Sequence, residues 1–275
     1  MTRYALDSAT PVLSRPDGTV QVGWDPRRAV VVHPPPGLAA PLLADLLRAL
    51  QSAATVPELQ NLAVGRGADA SVVTGLVTHL VDSGVITAAA PPRDRAASVR
   101  IHGDGPLSDL IASALSGSGV RVSHSSRAHA SAGGADLAVL TDYLVADPRV
   151  VRELHDAGVP HLIVRVRDGA GLIGPLVIPG VTSCLRCADL HRSDKDPAWA
   201  AVATQLCRTV GTADRATVLA TAGLALREIN HVLRALPGGG PGARPPSTLD
   251  TTLEFDVSTG SLTARRWSAH PQCAC

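Results

Sequence analysis

Four cysteines carry the clearest chemistry in this chain. Cys184-Leu185-Arg186-Cys187 is a C-x-x-C pair, and Cys273-Ala274-Cys275 is a C-x-C pair. Zinc takes four thiolates in a tetrahedron, and two chelating pairs from distant segments supply them for a single loop closure. The pattern predicts one structural zinc ion held by Cys184, Cys187, Cys273 and Cys275. The competing chemistry is a redox C-x-x-C with unrelated tail thiols. That reading asks for a helix N-terminus beneath the pair and has no use for the second pair. The fifth cysteine, Cys207, has no partner at ligand spacing and reads as a small buried residue.

A glycine turn offers a second kind of chemistry. Gly103-Asp104-Gly105 follows the strand-like Val99-Arg100-Ile101-His102 and precedes Pro106. Backbone amides at such a strand-to-helix turn could hold a phosphate. Ser108 stands at the third glycine position of a dinucleotide fingerprint, and Ser123-His124-Ser125 stands where an acid would meet a ribose hydroxyl, which argues against NAD. A tight turn with no ligand explains the same residues. His102, His124, His155, His161 and His270 show no ligand spacing and default to surface or satisfied core positions. Asp194, Lys195 and Asp196 read as a solvated loop, and Trp199 as a packing anchor.

The elements that must position these residues can be read from apolar periodicity and turn signals. In the first third, Pro16-Asp17-Gly18 and Asp25-Pro26 punctuate three short antiparallel strands, the last being Ala29, Val30, Val31, Val32 and His33. Leu42, Leu43, Leu46, Leu47 and Leu50 mark one face of a helix over residues 38–50. Thr55 caps a second helix, running to about Leu62, and Asp69 a third, over residues 70–82; Val85-Ile86 is a short return strand. This is the layout of a winged-helix-like module over residues 1–90, followed by a linker at 91–97. Residues 98–275 then alternate strands and helices, which argues for a parallel sheet with crossover helices. Residues 237–246, rich in Gly and Pro, read as a mobile loop, and two runs joined by Ser258-Thr259-Gly260 as a closing hairpin.

Composition narrows the function classes. At 275 residues the chain suits two domains. Aromatics make up only 2%, so Val, Leu and Ala must fill the cores. With 25 basic and 24 acidic residues there is no electrostatic case for nucleic acid or an anionic membrane. The N-terminus lacks a signal-peptide layout, and no apolar run reaches the roughly 20 residues that span a bilayer. The expectation is a soluble cytoplasmic protein, whose thiols stay reduced and available to metal.

Longer motifs carry a family resemblance. Gly103-x-Gly105 after a strand, Ala135-Asp136 through Thr141-Asp142 at the end of a later one, Pro179-Gly180 before the C-x-x-C, and a distal cysteine pair after a hairpin resemble the ThiF-like, ubiquitin-activating-enzyme-like superfamily. The run from Gly174 to Cys187, then Asp196-Pro197-Ala198-Trp199, Gln205-Leu206 and the tail from Trp267 to Cys275, is similar to one branch of it: the cyclodehydratase-associated, leader-peptide-binding proteins of thiazole/oxazole-modified microcin pathways. The resemblance implies an α/β fold in which a PqqD-like winged helix captures the leader of a precursor peptide. The Rossmann-type ThiF-like domain, with its structural zinc, would present that peptide to a YcaO-type cyclodehydratase, and the chain would form a homodimer. Peptide-binding positions would then be Ala29, Val30, Val31, Val32 and His33, by strand addition, with pockets from Val73, Leu76 and Val77.

The resemblance also places Gly103, Gly105 and Asp142 at a nucleotide site. Competent members add a lysine on the ATP phosphates, but the only lysine here is Lys195, beyond the first cysteine pair. Arg127, Arg149 and Arg152 could bring charge, though arginine does not simply replace lysine at a packed phosphate site. The site is therefore expected to be vestigial, without ATP chemistry and without a catalytic residue. Two other classes stay open: an active adenylyltransferase acting on a carrier-protein C-terminus, and a winged-helix interaction or DNA-binding protein. Against the last, residues 69–79 contain no Arg or Lys to meet phosphates.

Overall fold

The computed structural model describes residues 1–89, 95–126, 134–236 and 245–275. Most of the expected linker, most of the Gly- and Pro-rich loop, and Arg127 lie outside the described residues. The chain divides into two compact units, one within its first third and one comprising the remainder.

In the first unit, β1 (Arg3–Ala5) is followed by a meander of β2 (Val12–Ser14), β3 (Val20–Val22) and β4 (Val30–Val32), then α1 (Ala40–Gln51), β5 (Ala54–Thr55), α2 (Val56–Val64), α3 (Ala70–Asp82) and β6 (Thr87–Ala88). β2, β3 and β4 form one antiparallel sheet. A second sheet places β1 between β5 and β6. The return strand expected at Val85-Ile86 falls one step later, because Ile86 is needed in the core and Thr87 and Ala88 pair with β1. The helices begin where side chains satisfy their first amides. Thr55 and Glu58 close a reciprocal capping box on α2, and the Asp69 carboxylate accepts from Ser71 N–H at 2.8 Å to start α3. α1 buries Leu42, Leu43, Leu46, Leu47 and Leu50. Each such side chain contributes roughly 1.5–3 kcal/mol of transfer free energy, so this face holds the unit together.

The second unit is built on one sheet. Its elements are β7 (Ser98–His102), α4 (Pro106–Leu115), β8 (Arg121–Ser125), β9 (Leu137–Thr141), α5 (Pro148–Asp156), β10 (His161–Arg167), β11 (Ala170–Val177), α6 (Leu185–Ser193), α7 (Trp199–Leu206), α8 (Arg215–Ala235), β12 (Thr251–Asp256) and β13 (Ser261–Arg266). The strand order is β13-β12-β11-β10-β9-β7-β8. β8, β7, β9 and β10 are parallel, as the βα alternation predicts, but β11, β12 and β13 run antiparallel. The expected parallel sheet with a closing hairpin is thus found as a mixed sheet, with β11 as an antiparallel strand the alternation does not predict. The reason is local: only Asp168 and Gly169 separate β10 from β11, both with positive φ, and a two-residue turn of that kind returns the chain antiparallel. One face of the sheet packs Val99, Ile101, Val139, Leu162 and Val164 against α4 and α8. On the other face, Ala138, Leu140 and Ile163 pack with Val150 and Leu154 of α5. No helix among the described residues is long and apolar enough to cross a membrane.

Candidate functional site

The cysteine cluster forms where β11 runs out and α6 begins. Thr182 Oγ1 accepts from Ile178 N–H at 2.8 Å, and the Asp250 carboxylate accepts from both the N–H and the hydroxyl of Ser183, at 2.8 and 2.7 Å. This loop delivers Cys184 to the N-cap of α6 and Cys187 to its first turn. The second pair arrives after β13. Trp267 N–H donates to the Asp250 carbonyl at 2.7 Å, and its indole N–H to Thr252 Oγ1 at 2.9 Å. Buried His270 then fastens the tail. Its Nε2 lies 2.8 Å from Asp194 Oδ2, and its Nδ1 accepts from Gln272 N–H at 3.1 Å. Asp194 is therefore more than a member of a solvated loop: it ends α6 and holds the tail.

All four Sγ atoms lie within 4.8 Å of one another. Cys184 and Cys187 are 3.8 Å apart, Cys184 and Cys273 3.6 Å, and Cys187 and Cys275 3.4 Å. A tetrahedron of sulfurs each ~2.3 Å from a central ion has edges of about 3.8 Å, whereas a disulfide is ~2.05 Å. The cluster has the dimensions to hold a metal ion. Burial pushes the Cys184 thiol up. Burial acts the same way on Cys187, but hydrogen bonds with the His270 and Cys184 backbone and with the Cys275 and Cys273 thiols together bring that thiol down to about 7. Four close thiolates repel one another, so a cation is the natural partner of the set. The C-x-x-C does sit at a helix N-terminus, the feature a redox pair needs, but the second pair closes over it.

The glycine turn is arranged differently. Gly103 and Gly105 lead into α4 with Pro106 in its first turn. Asp142, just past β9, is buried at 1% exposure with φ of +66°. Its Oδ1 accepts from Leu107 N–H at 3.0 Å, and its Oδ2 from Ser108 N–H at 3.2 Å and Thr141 Oγ1 at 3.0 Å. The amides that a phosphate would use at the start of α4 are thus held by a carboxylate of the chain itself. A Cβ at Gly103 would overlap Thr141 Oγ1, and one at Gly105 would come within 2.9 Å of the Asp142 carboxyl group. Both glycines are explained by Asp142 and Thr141. Ser108 is buried and closes the turn on Gly105, its hydroxyl donating to the Gly105 carbonyl at 2.7 Å.

The residues expected to meet a peptide fall into two groups. Val30 and Val31 are 39% and 40% exposed, while Val32 points into the core. Ala29 is half-buried and His33 exposed. β4 has no strand on its outer side among the described residues. Val73, Leu76 and Val77 lie instead in the core of the unit. The helix against the meander is α1, which packs on β2 and β3, whereas α3 packs on α2. The side-chain pocket expected from α3 is therefore corrected: those three residues are core. Reading the sequence alone also passed over Trp24, which is 80% exposed in the loop before β4. Its only signal was a large aromatic in a turn, in a chain with few aromatics.

No protein-family model matches this chain, and no curated protein does. Solved structures do. The heterocyclase TruD matches with a TM-score of 0.64 and 20% identity, over 100% of this chain and 42% of that one. A heterocyclase in complex with substrate and cofactor matches with 0.65 and 16%, over 100% and 39%. E. coli MccB with ATP matches with 0.54 and 12%, over 99% of both chains. This chain thus spans about two-fifths of the length of the two heterocyclases. At these identities the likeness is one of fold.

Proposed function

We propose that the chain is a leader-peptide-binding scaffold for the biosynthesis of thiazole/oxazole-type modified peptides. Its first unit, read as a PqqD-like winged helix, captures the leader of a precursor peptide. Its second unit presents that peptide to a YcaO-type partner, which performs the ATP-dependent cyclisation, and the chain works as a homodimer. Zinc on Cys184, Cys187, Cys273 and Cys275 is structural and ties the tail to α6. The heterocyclase fold supports this reading. So does Asp142, which occupies the helix start where a nucleotide phosphate would bind.

The observation that carries the reading is the open edge of β4. Gly23 N–H donates to the Pro11 carbonyl at 2.8 Å and Arg15 N–H to the Thr19 carbonyl at 3.0 Å, so Leu13–Gln21 is a hydrogen-bonded pair of β2 and β3. By alternation, Val20–Val32 and Val22–Val30 are the hydrogen-bonded pairs of β3 and β4. The N–H and C=O of Val31 then point away from β3, to the open edge. An extended peptide would pair there, with Val31 exposed on β4 beside it for its apolar side chains.

This geometry gives a clean test. Val31→Pro removes one edge donor while leaving the β3–β4 hydrogen bonds in place, as proline on an edge strand allows. With the full chain and the precursor peptide encoded nearest its gene, the variant should keep the parent's circular dichroism and Tm and lose at least ~10-fold in affinity. A folded variant that binds like the parent would exclude strand addition at β4. The other reading, an adenylyltransferase, takes its support from the nearly full mutual coverage with ATP-bound MccB. ATP–pyrophosphate exchange above background, abolished by Asp142→Ala, would establish it in place of the scaffold.

A further inference from the structure

A cavity of about 500 Å³ lies within the second unit, against β10, α5 and α6. Strand alternation turns His161, Ile163 and Arg165 of β10 to this face. One part of the wall is apolar, with Val145, Val151 and Leu185 beside Ile163. The other part is polar and incomplete. The Arg165 guanidinium donates to the Leu144 carbonyl, and no carboxylate among the described residues pairs with it. A guanidinium has five donors, so most of its capacity is unused. Desolvation, then the like charges of Arg192 and Arg167, bring its pKa down to about 10, so it stays charged at neutral pH. Arg192, by contrast, is paired with Asp189 at 2.8 Å.

His161 adds the second incomplete group. It is fully buried, and its Nδ1 lies 3.0 Å from the Val159 carbonyl. Nδ1 therefore carries the proton, which leaves Nε2 as an acceptor, and that atom is buried without a partner. Burial brings the ring's pKa down to about 4, so it is neutral under ordinary conditions. His155, also in the wall, has a buried Nε2 without a partner. The His161 acceptor, buried without a partner, is costly to the empty protein, and the half-buried Arg165 beside it has donors to spare. Unsatisfied polar groups converging on a cavity with an apolar part to its wall are the signature of a ligand site.

We propose that this cavity binds a carboxylate-bearing ligand that also carries a hydrogen-bond donor. The carboxylate pairs with Arg165, and Arg152, exposed in the wall, adds positive charge. The donor, a hydroxyl or an amide N–H, meets His161 Nε2. A phosphate fits less well, because it presents a higher charge to Asp189 and Asp156, which also line the cavity. Two sources share the required chemistry: a free hydroxy acid, or a Glu or Asp residue of a peptide with its backbone N–H. The cavity borders Cys184 and Cys273, but its incomplete groups belong to β10 and α5. The site is independent of the β4 edge.

The test uses metal-replete full-length protein and three probes: L-malate, an acetylated and amidated Gly-Glu-Gly tripeptide, and inorganic phosphate. Calorimetry should show 1:1 binding of malate, of the tripeptide or of both, and nitrogen NMR should show His161 Nε2 moving from a free acceptor to a hydrogen-bonded one. Malate alone would identify a free acid, the tripeptide alone a peptide residue. Arg165→Met should weaken that binding by at least ~10-fold. Absence of binding by both acids up to about 10 mM, phosphate binding as tightly as either, or an unmoved His161 nitrogen in the saturated parent protein would each overturn the proposal. The nitrogen measurement needs no variant and decides the matter even if Arg165→Met does not fold.

Discussion

The cysteine cluster and the glycine turn occupy corresponding places in the same unit. Each lies beyond a strand of the central sheet, and each sets candidate ligand groups at the start of a helix. They differ in whether the chain completes them. At the start of α4 the Asp142 carboxylate already accepts from Leu107 and Ser108, and Gly103 and Gly105 make room for it. At the start of α6, four sulfurs converge within 4.8 Å, and as thiolates they repel one another until a cation joins them. A donor set that the chain satisfies is part of the fold; one that it leaves unsatisfied points to something from outside. The glycine turn admits both a ligand site and a tight turn in the sequence, and Asp142 packs against it.

The largest expected effect tests the unsatisfied side. Elemental analysis of the parent should find about one zinc per chain, and Cys184→Ser should strip it, because three thiolates with a hydroxyl hold zinc far less well. The cluster fastens the segment after β13 to α6, so we expect a loss of ~3 kcal/mol or more and faster amide exchange in β12 and β13. A variant with full metal content and the parent's exchange pattern would remove the distinction between the two sites.

The satisfied side is tested by Asp142→Ala. The change leaves two buried amides without their acceptor, which costs about 1–3 kcal/mol, while the Thr141 hydroxyl still has the His102 carbonyl at 3.2 Å. Millimolar phosphate should restore part of that loss in the variant and do nothing for the parent, because only the variant has a vacant helix start. If Asp142 instead served a bound nucleotide, the variant would keep its Tm and lose nucleotide affinity.

These two sites also show what was legible beforehand. The zinc reading rested on Cys184 and Cys187, and on Cys273 and Cys275, whose spacing within each pair is local and needs no knowledge of the fold. α3 was legible at both ends, because Asp69 caps it and its apolar positions keep one face. β11 was not, since Gly171, Gly174 and Pro175 hide a strand whose residues are nearly all buried. α6 was hidden behind the cysteine motif, as only Cys187 and Ala188 are buried along it. β5 and β6, two residues each, have no period to detect, and their pairing with β1 spans most of the unit. Val73, Leu76 and Val77 had the right character for a pocket, but apolar periodicity does not separate a core face from a binding face. The cavity drew on His155, His161 and Arg165, whose shared direction only the sheet establishes.

The smallest effect separates two carboxylates that both hold helix starts. Asp214 caps α8, accepting from Ala216 N–H at 2.8 Å, Thr217 N–H at 3.0 Å and the Thr217 hydroxyl at 2.6 Å. The Thr217 hydroxyl and then its backbone N–H hold the Asp214 carboxyl below its ordinary 3.8. A carboxyl depressed on folding contributes stability above its unfolded pKa and loses it as the pH falls through the folded value. Asparagine is also a good cap, so Asp214→Asn should change Tm little at pH 7. Because the group is exposed, the variant should differ from the parent chiefly in acid. As the pH drops from 5 to below the ordinary carboxyl value, the parent should lose stability and the variant less, so the gap between them narrows or reverses. Parallel acid-unfolding curves would show that the Asp214 charge is immaterial, and that among these two helix starts only the buried carboxylate of Asp142 matters to the fold.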